Sequence, residues 1–327
     1  MVQLAPLNVP LARRIQVLCV LLMVALPISL IALNFVFVFN PLLWGLYIPY
    51  LVYIFKYDYD ASKEGSKRWN WVRHWNILKQ FRDFFPAKVI LEEPLEKNKS
   101  YLLGGHPHGV ISMSVWANFL SSHAGSFEDV TGIPLRLATL KENFKVPFLR
   151  ELILSFGIID SSRETLEFNL NRNRACLLMI GGAEEVLYAG SDKEHINLVL
   201  QRRKGFVRVA LRTGSALVPV FNYGENEIYT QKSFAEGSRL RALQEWIKHK
   251  TGQIFPIING RGIFIYDYGF LPRRVPLISV IGAPIEIPKI ENPTEEDISK
   301  YHELYVQKLR QMYTKYSQTH VDNLLLL

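Results

Sequence analysis

Two histidines separated by a single proline stand in the stretch YLLGGHPHGVISM, Tyr101 to Met113. Imidazole takes up and returns a proton near neutral pH, so His106 and His108 are candidates for general base chemistry. The apolar run Tyr101 to Leu103 reads as a strand, and Gly104, Gly105, Pro107 and Gly109 read as the exposed turn it feeds. Proline fixes its own φ and pushes the residue before it toward extended geometry, while glycine admits backbone shapes that bulkier residues resist. The pattern predicts two imidazoles held at the mouth of a sheet. A lone histidine more often only hydrogen-bonds a loop; the bracing by proline and three glycines favours catalysis.

Further along, Ala175 to Glu185 (ACLLMIGGAEE) repeats the design of apolar strand, paired glycines and polar group. Gly181 and Gly182 let the backbone approach a ligand, and their amides, like those near Gly109, suit an oxyanion hole. Glu184 or Glu185 can orient an imidazole or bind a hydroxyl. The cations Arg202, Arg203 and Lys204 open an apolar-periodic helix ending at Gly214, which makes an anion site suited to phosphates. In the strand that follows, Pro219 predicts an edge position or a bulge. The strand runs into Asn222, Glu225 and Asn226, hydrogen-bonding groups at another strand end. No G-x-S-x-G elbow, P-loop or dinucleotide fingerprint is present, which argues against serine esterases and nucleotide enzymes. His-x-His could be half of a zinc site, but the other histidines lack ligand spacing, so no metal is expected.

These residues need a scaffold. Predicted strands at 88–91, 101–103, 135–139, 175–180, 216–221 and 277–281 alternate with predicted helices at 112–121, 147–155, 163–171, 205–213, 239–250 and 294–318. That alternation predicts an α/β sandwich with a largely parallel sheet, in which ligands gather beyond the carboxyl ends of the strands. Ahead of it, Ile15 to Phe55 contains no charged residue or histidine. The tract is too long for a signal peptide or one ordinary span, so two membrane segments in 15–55 are expected. They break at Asn34 (17–33 with 35–55) or at Asn40-Pro41 (15–39 with a shorter, re-entrant 42–55). Arg13-Arg14 before the tract and Lys56 after it predict cytosolic flanks, residues 1–14 included. Residues 56–85 read as an interfacial segment, with Trp71, Trp75, Leu78, Phe81 and Phe85 on the apolar face of a helix lying in the headgroup layer; an ordinary core-facing helix is the alternative. Residues 86–327 form the catalytic domain. The formal charge of +8 and pI near 9.3 suit an anionic membrane face or a polyanionic ligand, and no nucleic-acid module appears. Cys19 and Cys176 are too separated in context to pair, which fits a reduced compartment; the sequon at Asn98 is read as unused.

Together, HPHG at 106–109, GGAEE at 181–185, RKGFVRVALRTGSALVPVFNYGENE at 203–227, GRGIF at 260–264, IGAPIEIP at 281–288 and PTEEDISKYHELY at 293–305 resemble the diacylglycerol acyltransferase type 2 family, which also holds monoacylglycerol and wax-alcohol acyltransferases. The resemblance runs from about residue 86 onward. It implies a glycerolipid-acyltransferase-like fold on a membrane hairpin in the endoplasmic reticulum, with lipid droplets as a further location and the catalytic part in the cytosol. The implied partners are acyl-CoA as co-substrate, a neutral glycerolipid and the membrane. No cofactor is implied, and self-association stays open. His108 becomes the expected base, Glu185 matches the family's acid, and Arg203 with Lys204 would hold CoA phosphates. Related acyltransferases carry an aspartate five residues beyond their histidine; Ile111 and Met113 occupy those positions, leaving Glu185 or Glu225 to orient the ring. The implied activity is esterification of diacylglycerol, with monoacylglycerol or a fatty alcohol as alternative acceptors. A non-catalytic lipid-droplet scaffold is the alternative of another class.

Overall fold

The computed structural model describes residues 4–6, 8–65, 67–189, 195–231, 234, 237–252, 254, 256–317 and 324–327. Its centre is a seven-stranded sheet made of β1 (Lys88–Leu91), β2 (Tyr101–His106), β3 (Leu135–Thr139), β4 (Ile159–Asp160), β5 (Ala175–Met179), β6 (Ala216–Tyr223) and β7 (Ile278–Ile281). The order is β1-β7-β6-β2-β5-β3-β4, parallel from β6 through β4. Only β7, antiparallel to β6, and β1, which follows β7, run the other way. Side chains alternate between two cores because successive residues of a strand face opposite sides. Leu103, Val218 and Val220 enter one core, while Leu102, Leu217 and Phe221 enter the other. The α/β fold with a largely parallel sheet is therefore as expected.

The expectation for β2 changes, and of the two settings expected for Pro219 in β6 the bulge is the one found. The β2 ladder continues through both glycines to His106 instead of turning after Leu103. Without side chains, Gly104 and Gly105 leave room for Tyr305 and the Met179 thioether, and a Cβ at either position would run into them. Pro219 lies in an interior strand, opposite Gly104 of β2. It is tolerated because the ladder to β7 ends at Val220–Ile281, and beyond it the segment that follows β7 bulges through Gly282 to Pro284 where no proline N–H is called for.

The N-terminal tract divides at Asn40-Pro41. A helix spans Leu11–Phe39, and a short one spans Trp44–Val52. Only the first is long and apolar enough to cross a membrane among the described residues. Asn34 does not break it. Its amide donates to Leu30 O at 2.9 Å and Pro147 O at 3.1 Å and receives the Tyr47 hydroxyl at 2.8 Å, tying both helices to the globular part. Gln16, Val20 and Met23 are buried at the other end, in the core shared with the helix Asn76–Phe84.

The 56–85 segment also departs from expectation. It forms three short helices, Ala61–Glu64, Asn70–Arg73 and Asn76–Phe84, and Leu78, Phe81 and Phe85 are 0–1% exposed in the core. Trp69 and Trp71 remain exposed. The basic residues follow the same logic: Arg82 is buried and donates to Ala117 O at 2.6 Å, while Arg73 donates to Phe156 O and Phe119 O and pairs with Glu128. The core-facing alternative holds for most of this segment, since buried cations with such partners cannot reach a headgroup layer.

Overpacking a filled site typically costs about 1–3 kcal/mol. Gly104→Ala should lower the unfolding temperature, and Tyr305→Phe in the same chain should return part of the loss; a thermal melt of both variants checks this.

Candidate active site

Three adjacent parallel strands, β5, β2 and β6, end side by side, and each delivers one chemical group. From β2 comes the His106–Gly109 turn, with a cis peptide before Pro107. From β5 comes Glu185, and from β6 comes Glu225. Both carboxylates are almost wholly buried.

Neither acid hydrogen-bonds an imidazole. Glu185 Oε1 accepts the His108 backbone N–H at 2.5 Å, and Oε2 accepts that of Val199 at 2.9 Å. Glu225 accepts the N–H groups of Met113 at 2.9 Å and Ser114 at 2.7 Å, the first turn of the helix Met113–Asn118. The turn carrying His108 is thus fixed by carboxylates from both flanks. Gly109, at φ +61°, and Gly181 let the acids come close, because a Cβ at either site would strike Glu225 or Glu185 respectively. Gly182 is also in the left-handed region, at φ +58°, and faces open space.

The His108 ring is half-buried. Its Nδ1 lies 3.1 Å from Gly109 O, an atom that can only accept, so Nδ1 carries the proton in the neutral ring. The lone pair then resides on Nε2, which bonds to no described residue. Burial holds this imidazole below its ordinary value, opposed by hydrogen bonds to backbone, so it is neutral at pH 7 and able to accept a proton. A carbonyl does the orienting that was expected of Glu185 or Glu225.

His106 differs. It is fully buried and its Nε2 lies 3.0 Å from the Tyr305 hydroxyl, which itself donates to Gly104 O at 3.0 Å. The hydroxyl proton being committed, His106 Nε2 must be the donor, and Nδ1 is left buried without a partner. Burial lowers its pKa to about 3. This imidazole locks β2 to the helix Glu295–Tyr316, away from the strand mouth where it was expected. Tyr305 was not singled out in the sequence. The only signal was the glycine pair, which needs something large to fill it.

The other candidates divide. Asn222 accepts from Ser279 Oγ at 2.7 Å, and Ser279 is held by Asn118 Nδ2 at 2.9 Å, so Asn222 braces β6 against β7. Asn226 Oδ1 is buried without a partner. Arg203 and Lys204 lie just before the helix Gly205–Thr213 as expected. Glu184, however, pairs with Arg202 and with Arg203 at 2.8 Å, while Lys204 donates to Ser299 Oγ at 3.1 Å. The clefts of about 280 and 340 Å³ beside the closing helix are not lined by His108. Among the described residues no three His, Cys, Asp or Glu side chains form a metal-binding group.

The class defined here is an α/β protein with a neutral, carbonyl-oriented histidine beyond the strand ends, suited to activating a hydroxyl. A profile described as diacylglycerol acyltransferase matches residues 36–325. Diacylglycerol O-acyltransferase 2 of Dictyostelium discoideum is 40% identical over 98% of this chain and 97% of its own length. A 2-acylglycerol O-acyltransferase 1 of Bos taurus is 36% identical over 96% and 95%. The chain belongs to the diacylglycerol acyltransferase family. The solved 1-acyl-sn-glycerophosphate acyltransferase PlsC of Thermotoga maritima aligns over 83% of this chain and 94% of its own, at 14% identity and a TM-score of 0.39.

Burial, the largest cause, raises Glu185 and Glu225 from 4.5 to about 7 against the pull of their N–H donors. Between those values the folded chain holds protons that the unfolded chain has lost, so this contribution to stability is greatest below pH 4.5 and falls as pH rises to 7. The unfolding temperature of the wild type relative to Glu225→Gln should decline from pH 5 to 7 and then run parallel; a melt series across pH tests it. Gly109→Ala should abolish activity with a loss of thermal stability, because strain at φ +61° and displacement of Glu225 act together.

Proposed function

We propose that the protein transfers the acyl group of acyl-CoA to the free hydroxyl of diacylglycerol, with His108 as general base. The observation that carries this reading is the His108 tautomer: Nδ1–H on Gly109 O leaves a basic Nε2 on a turn fixed by two buried carboxylates. Nε2 takes the hydroxyl proton as the oxygen attacks the thioester carbonyl. The new C–O bond forms, the C–S bond breaks, and the proton passes from the imidazolium to the CoA thiolate. Backbone amides near Gly109, or of Gly181 and Gly182, would meet the oxyanion. His106 and Glu185 act through the position of the turn, and Asn222, Glu225 and Asn226 as its support. Arg203 and Lys204 would hold CoA phosphates, which requires the phosphates to compete with Glu184. No cofactor enters the scheme.

The long apolar helix and the exposed Trp69 and Trp71 support a membrane-anchored enzyme, so the acceptor would arrive laterally from the bilayer. A hairpin in the endoplasmic reticulum membrane with cytosolic catalytic residues, and lipid droplets as a second location, completes this reading. The 2-acylglycerol acyltransferase relatives keep monoacylglycerol as the second acceptor.

A positioned base contributes about 10²- to 10⁴-fold. Purified full-length protein given labelled oleoyl-CoA and diacylglycerol should form triacylglycerol, and His108→Ala should lose activity by that factor; retained turnover removes the base from the scheme. Arg203→Ala with Lys204→Ala should raise the KM for acyl-CoA more than that for the acceptor, measured by varying each substrate in turn.

A further inference from the structure

The GRGIF motif at 260–264 has no part in the site above. It forms one arm of a tight knuckle, Gly260 to Leu271. Gly260 N–H donates to Gly269 O at 2.8 Å, Arg261 and Leu271 exchange bonds of 2.7 and 3.0 Å, and Gly262 N–H closes on Ile265 O at 2.7 Å. Asn259 braces it from within, its amide donating to Asp267 O at 2.9 Å. The glycines are sterically required, since a Cβ at 260 would run into Leu271 O and one at 269 into Arg261 O.

A backbone this constrained does not fold its aromatic residues inward. Phe264 is 79% and Phe270 85% exposed, with Tyr268 and Ile263 exposed beside them. Water-facing aromatic rings on a rigid support mark a surface that meets another apolar phase. Two further observations say which. The knuckle is bonded to the residues that lead into the long apolar helix: Ala5 N–H donates to Phe264 O at 2.8 Å and Leu4 bridges Ile265, with Leu4 and Leu11 themselves exposed. Its base is cationic. Arg261 lies over the Tyr266 ring at 4.5 Å, and Arg274 donates to Phe84 O at 2.8 Å, close enough to Arg13 and Arg261 to feel both charges. Exposed aromatic rings with arginines beside them, bonded to the residues that lead into an apolar helix, match the chemistry of an anionic lipid surface.

We propose that the Gly260–Leu271 knuckle is a second membrane-contact element, placing Phe264 and Phe270 in the headgroup region of a bilayer that contains anionic lipid. The proposal rests on the reading that the helix Leu11–Phe39 is embedded in that bilayer. The two anchors would then limit the rocking of the globular part against the membrane.

The test uses the full chain with Cys19→Ser and Phe264→Cys, labelled with an environment-sensitive fluorophore and reconstituted into phosphatidylcholine vesicles with phosphatidylserine. Cys176 is buried with its thiol pushed up to about 12, so it stays unlabelled. Quenching by lipids spin-labelled near the headgroup, together with protection from iodide, is the expected result. A label at Glu295→Cys, on the closing helix across the sheet, should remain open to iodide. Iodide quenching at 264 overturns the proposal, and shielding without lipid quenching overturns it in favour of a protein contact. A label at Leu26→Cys, read with lipids spin-labelled deep in the acyl chain, separates the two readings: lipid quenching there without headgroup quenching at 264 sinks the knuckle alone, and none at either sinks the membrane reading as well. As a second measure, Phe264→Ser with Phe270→Ser should raise the KM for bilayer-dissolved acceptor several-fold and leave the rate with acceptor in detergent micelles unchanged; equal rates in both settings would overturn the proposal.

Discussion

The structure depends on two buried carboxylates that accept backbone N–H groups on either side of one turn. An unpaired buried amide costs free energy, and each carboxyl supplies acceptors for two of them, which offsets part of the cost of burying the acid. Glu185 and Glu225 each take two amides, from His108 and Val199 and from Met113 and Ser114. The strand ends that supply them flank β2, so the turn is held from left and right within one sheet. Remove either acid and a pair of donors is stranded in the interior.

That arrangement frees the imidazole from needing a carboxylate. A ring hydrogen-bonded to an anion becomes more basic and draws charge into the site, whereas a ring bonded to Gly109 O keeps its tautomer without added charge. The buried neighbour His106 shows the opposite use of the same side chain: a fully buried, neutral cross-link between Gly104, Tyr305 and the sheet. Two histidines one residue apart thus do unlike work because the strand ends between them.

Much of this was legible in the chain. Apolar runs ending in Gly-Gly or Asn-Gly clusters marked β2, β5 and β6, and the alternation with helices gave the parallel sheet. The turn, the two acids and the cation run stand out in the sequence as site candidates, but the structure gives the acids backbone N–H partners in place of an imidazole and gives Arg203 and Lys204 the partners Glu184 and Ser299. What was not legible depends on pairings across long separations. Glu185 lies 77 residues from His108 and Glu225 lies 112 from Met113, and no periodicity reports which atom of a residue such a partner will meet. The misreading of Leu78, Phe81 and Phe85 as lipid-facing has the same origin: an aromatic stripe looks alike whether a bilayer or the helix Leu11–Phe39 covers it. Glu184's hold on Arg203 was likewise invisible, since the pairing needs β5 and the Gly205–Thr213 helix to be neighbours in space.

The bond between Tyr305 and Gly104 spans 201 residues and joins β2 to the much later helix Glu295–Tyr316. A nascent chain has therefore synthesised the histidine turn long before it can finish the wall behind it. Until Tyr305 has cleared the ribosome, the glycine pair of β2 is an open notch, and the His106 ring lacks the hydroxyl that it will bond.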